Sequence, residues 1–322
     1  MHTTIHGAHA ALDIPVESLT GANCASTQDP GSPYRGRFAP SPTGSLHFGS
    51  LVAAVGSWLR ARAKNGTWLV RMEDLDPPRE VPGAAEDILA TLAAFGMESD
   101  EPVIFQSRRT PAYDDAFQRL RAAGEVFACA CSRSDLEPLG GFHRNACIVP
   151  ADSSRACAWR LRAPDLTIVF DDLANGSQSQ NLHGEVGDFV IKRIEGWYAY
   201  QFAAVVDDAF QGITEIVRGA DLLDSTPRQI YLQRVLGFTT PSYLHMPLVV
   251  DADGQKLSKQ DHARPVGRDG AIAALRAALT FLGLDIRGVP ASTDSLLSAG
   301  VVNFDSARLM RASRPDPRRG PD

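Results

Sequence analysis

Three groups of residues have types and spacings that could do chemistry. The first is Cys129, Cys131, His143 and Cys147, a C-x-C pair followed after eleven residues by a histidine and after three more by a cysteine. Three thiolates and an imidazole complete a closed tetrahedral zinc shell, the structural kind. Cys157 is the rival for the fourth position, and free cysteines beside an incidental histidine are the competing reading. The second group is "KLSKQ", with Lys256 and Lys259 three apart among small polar residues. Lysine is a compact, mobile charge that can follow a moving pyrophosphate. Cations aimed at the leaving oxygens stabilise in-line attack on the α-phosphate of ATP. Alone, the pair reads equally as a solvated loop. The third group is "APSPTGSLHFGS", residues 39–50. Its prolines and glycines make a rigid turn after a strand, and a helix starts near Leu46. The unpaired N–H groups of a helix start form an anion site. Gly44 and Gly49 admit a ligand close to the backbone, and His47 stands in the first turn, able to donate to phosphate or ribose. The competing reading is a capped connection with an incidental histidine.

The elements that must hold these residues alternate. "GRFAP" and "TWLVRME" read as strands, and 46–64, 82–95 and 111–123 as helices with apolar residues three and four apart. The alternation breaks at 125–195, which reads as an insertion with short strands, the cysteine cluster and a hairpin through "GDFVIKRIEGWYAY". It resumes as helix 200–209, strand "ITEIVRG", helix 225–236 and strand "YLHMPLVV", with a final helix over 269–283. Such alternation predicts a parallel α/β sheet. Residues 1–33, rich in Ala, Ser, Thr, Gly and Pro, read as a disordered extension, and 291–322 as a disordered tail, leaving 34–290 as the catalytic unit.

Composition narrows the classes. The chain has 322 residues, 44% hydrophobic and 22% charged, with a net charge of −6. That excludes a non-specific polyanion binder and requires any nucleic-acid partner to meet a local basic face. No run is apolar enough to cross a membrane, and the N-terminus lacks the basic start and apolar run of a signal peptide. Five scattered cysteines predict a reducing, cytoplasmic setting. The expected state is a monomer.

The two phosphate-directed groups occur together, and this changes their meaning. "SPTGSLHFGS" is similar to the HIGH-type motif, and "KLSKQ" to the KMSKS-type motif, of the class I aminoacyl-tRNA synthetases. "GRFAPSPTGSLHFGSL", "VRMEDLDPPRE" and "VVDDAFQGITEIVRGADLLDSTPRQIYL" further resemble the glutamyl branch, in order from about 35 to 285. Glutamyl-tRNA synthetases carry a large anticodon-binding region after the lysine loop, whereas only 262–322 follow it here. The chain therefore most resembles the truncated paralogues of that branch, the glutamyl-Q tRNA(Asp) synthetases. Where the glutamyl-tRNA synthetases read Tyr-x-x-Ala-Asn-Val-Val-Asp-Asp, this chain reads "YQFAAVVDD", with Ala204 in place of the Asn.

The resemblance implies a Rossmann-type α/β catalytic domain with a zinc-containing insertion and no anticodon-binding domain. It implies activation of glutamate with ATP and Mg²⁺, then transfer to the queuosine base in the anticodon of tRNA(Asp). A glutamate pocket needs cations for two carboxylates and an anion for the ammonium. Arg37 and Arg218 match the cations, Glu73 the ammonium partner and Tyr200 a hydroxyl and an apolar wall, with Phe38, Ala39, Pro40 and Ser41 completing the pocket. His47, Gly49 and Lys259 would hold ATP; Lys259, Lys256 and His47 would act in catalysis, and Asp74 and Asp76 would be structural. The substrate carboxylate is itself the nucleophile, so no general base on the protein is needed. The rival functions are a shortened glutamyl-tRNA synthetase charging a 3′ end, a non-catalytic tRNA-binding module and a small-molecule nucleotidyltransferase.

Overall fold

The first strand, β1, spans Arg35–Phe38 and stops just before Pro40, which has no backbone donor for a sheet. The computed structural model describes residues 31–144, 146–149, 154–250, 265–305 and 314–315. Helix α1, Phe48–Ala63, buries Leu51, Val55 and Leu59 at successive fourth positions. Lys64 caps it, and Asn65 turns the chain away at φ 50°. Strand β2, Thr67–Met72, then lies parallel to β1. Helix α2, Ala84–Ala94, leads to β3, Ile104–Phe105, parallel to β2. This strand–helix–strand–helix–strand unit is the first half of the α/β fold.

Helix α3, Thr110–Ala122, opens the middle of the chain. Strand β4, Val126–Cys129, is followed by the single turn α4, Arg133–Leu136, and by β5, Ala158–Leu161. Strands β6, Thr167–Asp172, and β7, Gly176–Asn181, form an antiparallel hairpin, and β8 spans Phe189–Lys192. Sheet β4-β5-β8 is antiparallel throughout. The hairpin expected through 187–200 is present but short: Lys192 bridges Tyr198, Arg193 N–H donates to the Trp197 carbonyl (2.7 Å) and Ala199 N–H to the Ile191 carbonyl (2.9 Å), before the chain enters the next helix.

Helix α5, Tyr200–Phe210, strand β9, Glu215–Gly219, helix α6, Thr226–Leu236, and strand β10, Ser242–Met246, restore the alternation. The second sheet runs β7-β6-β10-β9, with β10 parallel to both β9 and β6. The two halves meet where Thr214 N–H donates to the Arg35 carbonyl (2.9 Å) and Arg35 N–H donates to Thr214 Oγ1 (2.8 Å). Strand β11, Val249–Val250, precedes helix α7, Ala271–Phe281.

The C-terminal expectation needs correction. Helix α8, Thr293–Asn303, stands inside the segment expected to be a disordered tail, and Arg314–Pro315, strand β12, pairs with β11. Ser292 caps α8 by accepting from Ser295 N–H (3.2 Å), and Leu296 and Leu297 join the same core as Leu51, Leu59 and Leu279. The helix escapes periodicity because two leucines and a glycine are its whole buried face. The packed core therefore runs past the expected boundary at 290. Residues 1–30, most of the expected N-terminal extension, lie outside the described residues. Among the described residues, no helix is long and apolar enough to cross a membrane.

Candidate functional site

A cleft of about 500 Å³ opens over the carboxyl ends of β1, β9 and β10. Ala39, Ser41, His47 and Gly49 line it after β1, Gly219 and Asp221 after β9, and Pro247 and Val249 after β10. An open α/β sheet places its ligand crevice here, beyond the strand ends where neighbouring strands diverge. Phe38 and Pro40 also face this space.

His47 is the N-cap of α1, one position before the first helical turn in which the sequence placed it. Its Nδ1 accepts from Ser50 N–H (3.2 Å), which leaves the proton on Nε2, 3.0 Å from Ser50 Oγ. One of the helix-start N–H groups is thus already taken by the histidine. Gly44, at φ 132°, makes a turn closed to most side chains. A Cβ on Gly49 would stand 3.2 Å from His47 Cε1, so glycine leaves this wall of the cleft clear. Lys256 and Lys259 lie outside the described residues. The described chain on either side of them reaches the cleft, with Val249 on its wall and Pro265 bridged to His47.

A buried ionic network lies next to Phe38 and Pro40 in the chain, and none of its charged residues lines the cleft itself. Arg37 Nε and Nη2 donate to the two Asp208 oxygens (3.0 and 3.2 Å). Arg71 Nη1 donates to Asp208 Oδ1 (2.7 Å) and to Gln211 (2.8 Å), and its Nη2 to Glu73 (3.1 Å). All four charged groups are at least nine-tenths buried. Burial alone would push Asp208 up, but Arg37 and Arg71 overcome it and hold the carboxyl at about 2. Glu73 goes the other way: burial outweighs Arg71 and Arg37 and raises it.

Arg218, also buried, is held from three sides. Nε donates to His245 Nε2 (2.9 Å), and Nη2 to Thr226 Oγ1 (2.8 Å) and the Leu222 carbonyl (3.3 Å). Nη1 faces the Tyr200 hydroxyl at 3.3 Å. Tyr200 in turn is near enough to Arg37 to act on its charge. The fold therefore brings Arg37, Glu73, Tyr200 and Arg218 into one neighbourhood. Arg37 and Arg71 pair with Asp208 and Glu73 there, while Arg218 reaches the group through the Tyr200 hydroxyl. Arg37 is already chelated by Asp208, whereas the Nη1 edge of Arg218 points beside a hydroxyl. Asp74 accepts from Ser107 (2.9 and 2.6 Å), and Asp76 pairs with Arg79 and Arg193, the structural roles expected of them.

The cysteine cluster forms a separate centre. The ligand atoms of Cys129, Cys131, His143 and Cys147 lie within 4.8 Å of one another. Four ligands at zinc distances would stand about 3.3–3.8 Å apart, so a small contraction would seat one ion. A capping box, Ser132 with Asp135, turns the chain directly after Cys131. His143 Nδ1 donates to Asp188 Oδ2 (2.8 Å), and its buried Nε2 has no hydrogen-bond partner among the described residues. A carboxylate behind one nitrogen and an unmet lone pair on the other is the arrangement of a metal-bound imidazole. Burial and the Cys129 and Cys131 sulfurs push the Cys147 thiol up to about 12, a penalty that a cation would reverse. Cys157 is exposed, and its sulfur faces the Arg155 carbonyl rather than the cluster. The residues present can hold a metal ion.

The catalytic-domain model of the class I tRNA synthetases (E and Q) matches residues 34–297. A protein of Burkholderia cenocepacia named glutamyl-Q tRNA(Asp) synthetase is 59% identical over 267 residues, 79% of this chain and 90% of that one. The chain belongs to the glutamyl-Q tRNA(Asp) synthetase family. A further glutamyl-Q tRNA(Asp) synthetase, from Xanthomonas campestris pv. campestris, is 53% identical over 88% of this chain and 96% of its own. Among solved structures, a glutamate tRNA ligase from Elizabethkingia meningosepticum superposes with a TM-score of 0.74 at 24% identity, over 88% of this chain and 67% of that one. The likeness to that ligase is one of fold.

In this glutamyl-Q tRNA(Asp) synthetase family member, sequence reasoning missed five residues that organise the two centres: Arg71, Asp172, Asp188, Asp208 and His245. Arg71 and Asp208 stand inside motif runs, "RMED" and "VVDD", and charged residues in otherwise apolar elements were the available signal. Asp172, Asp188 and His245 gave none, because their partners are 73, 45 and 73 residues away.

Proposed function

We propose that this chain activates glutamate with ATP and transfers the glutamyl group to the queuosine base in the anticodon of tRNA(Asp). The name carried by a relative 59% identical over nine-tenths of its own length is the observation that carries this reading, and the charge pattern of the pocket supports it. Arg218 and Tyr200 take one glutamate carboxylate at the Nη1 edge. Glu73 takes the ammonium. Arg37, fixed by Asp208, adds positive potential, and Phe38 to Ser41 guide the reacting carboxylate toward the cleft.

That carboxylate attacks the α-phosphorus of ATP, the bond to pyrophosphate breaks, and glutamyl-adenylate forms. His47 and Gly49 position the nucleotide, while Lys259, assisted by Lys256, neutralises charge on the departing pyrophosphate. Mg²⁺ accompanies the ATP phosphates. A hydroxyl of the queuosine cyclopentene ring then attacks the glutamyl carbonyl, AMP leaves with the electron pair of the mixed anhydride, and an ester remains. Cys129, Cys131, His143 and Cys147 hold a structural zinc ion that shapes the acceptor-binding insertion and takes no part in these steps. The reaction is assigned to the cytoplasm, in keeping with the sparse, scattered cysteines.

Glutamate-dependent exchange of labelled pyrophosphate into ATP, without tRNA, tests the first step. Exchange with glutamate and none with aspartate or glutamine is expected. No exchange with any amino acid would leave a non-catalytic module as the better account.

A further inference from the structure

Arg218 owes its orientation to a side chain outside the amino-acid pocket motifs. Its Nε–H needs an acceptor, and the buried His245 Nε2 supplies it at 2.9 Å. Nε2 can accept only if the imidazole carries its proton on Nδ1. Asp172 enforces that. One of its oxygens accepts both from His245 N–H (3.0 Å) and from Nδ1 (2.7 Å). Its other oxygen is fixed by Ala174 N–H and by the backbone and side chain of Asn175, whose amide also donates to the His245 carbonyl (2.9 Å). The Tyr243 ring lies parallel to the imidazole, with ring centroids 6.1 Å apart.

We infer that His245, held by Asp172 as the Nδ1–H tautomer, is a positioning residue that aims Arg218 at the substrate carboxylate. The inference rests on the proposed role of Arg218 as a carboxylate anchor and adds what fixes its aim. With Nε committed to His245 and Nη2 to Thr226 and Leu222, only Nη1 turns outward, toward Tyr200. Without the imidazole acceptor the guanidinium can rotate about its last bonds and the Nη1 edge loses its direction. A protonated His245 would fail too, since Nε2–H would oppose Nε–H and set a second cation beside Arg218. The groups facing the ring are Arg218 from β9, Asp172 from β6, Asp221 beyond β9 and Thr226 from α6. Burial and Arg218 resist the extra proton, Asp172 and Asp221 favour it, and resistance wins.

His245→Leu removes the acceptor, and His245→Gln offers Oε1 in its place. In glutamate-dependent pyrophosphate exchange, the Leu variant should raise the glutamate KM on the order of 10- to 100-fold. The KM for ATP should stay within about two-fold, and the Gln variant should recover most of the loss. Arg218→Gln, run in parallel, separates the two ideas. An unchanged glutamate KM in Arg218→Gln refutes the anchor role itself. A raised value there with an unchanged one in His245→Leu overturns the inference about His245. Equal rises in both substrates' KM in the Leu variant would mark a merely structural residue and overturn it as well. Nitrogen-15 NMR of the unmodified protein decides even if the Leu variant fails to fold. His245 should stay a neutral Nδ1–H imidazole from about pH 6 to 8, with or without glutamate. An Nε2–H tautomer or an imidazolium in that range contradicts the inference.

Discussion

Asp208 carries the charge balance of the pocket, since it is the carboxylate shared by Arg37 and Arg71. Asp208→Asn would leave two buried guanidinium groups short of an anion and should cost about 3–5 kcal/mol of stability, read by thermal or denaturant unfolding. The pH dependence has a definite sign. Asp208 is held at about 2, below its unfolded value. The folded state therefore binds fewer protons than the unfolded one across that interval. Its stabilisation is full above the ordinary carboxylate range and drains as pH falls toward about 2. Asp208→Asn should flatten that acid limb, and an unchanged limb would show that the network does not set it. At this scale the sequence exposed Arg37, Glu73, Tyr200 and Arg218, because each stands in a long recognisable run. It did not expose that Arg37 is chelated, since Asp208 lies 171 residues away and only folding brings the two together.

Among elements, the insertion and α8 make the clearest predictions. The protein should contain one zinc ion per chain by elemental analysis, and stripping it should lower the melting temperature. Asp188→Asn should weaken metal affinity about 10- to 100-fold while leaving all four ligands in place; unaltered affinity would mean that the His143–Asp188 contact is incidental. Leu297→Ala in α8 should destabilise by about 2–5 kcal/mol, measured by denaturant unfolding. A change below about 0.5 kcal/mol, the level of a surface substitution, would mean the helix adds nothing to the core. Strands and helices carrying three or more apolar residues at a regular period were legible within a residue or two: α1 was expected at 46–64 and spans Phe48–Ala63. Helix α8 was not, since its interior face is too small to produce a period. The hairpin through β8 is legible too, though its second arm is short because Tyr200 opens α5.

For the whole molecule, the cleft follows from topology. Two parallel units meet at Arg35 and Thr214, and the loops beyond their strand ends bring "SPTGSLHFGS", the β9 end and the flanks of the lysine loop to one place. The order of the motifs along the chain made this arrangement legible before any coordinates. The net charge of −6 gives no such guide to the tRNA-facing surface, because a local basic face is hidden in a total. The central claim is the acceptor, and labelled glutamate tests it most directly. With ATP and tRNA(Asp), label should enter only tRNA that contains queuosine, and after nuclease digestion it should be found on the anticodon-loop fragment and not on the 3′-terminal nucleoside. Label entering queuosine-free tRNA, or found on the 3′-terminal nucleoside, would contradict the account.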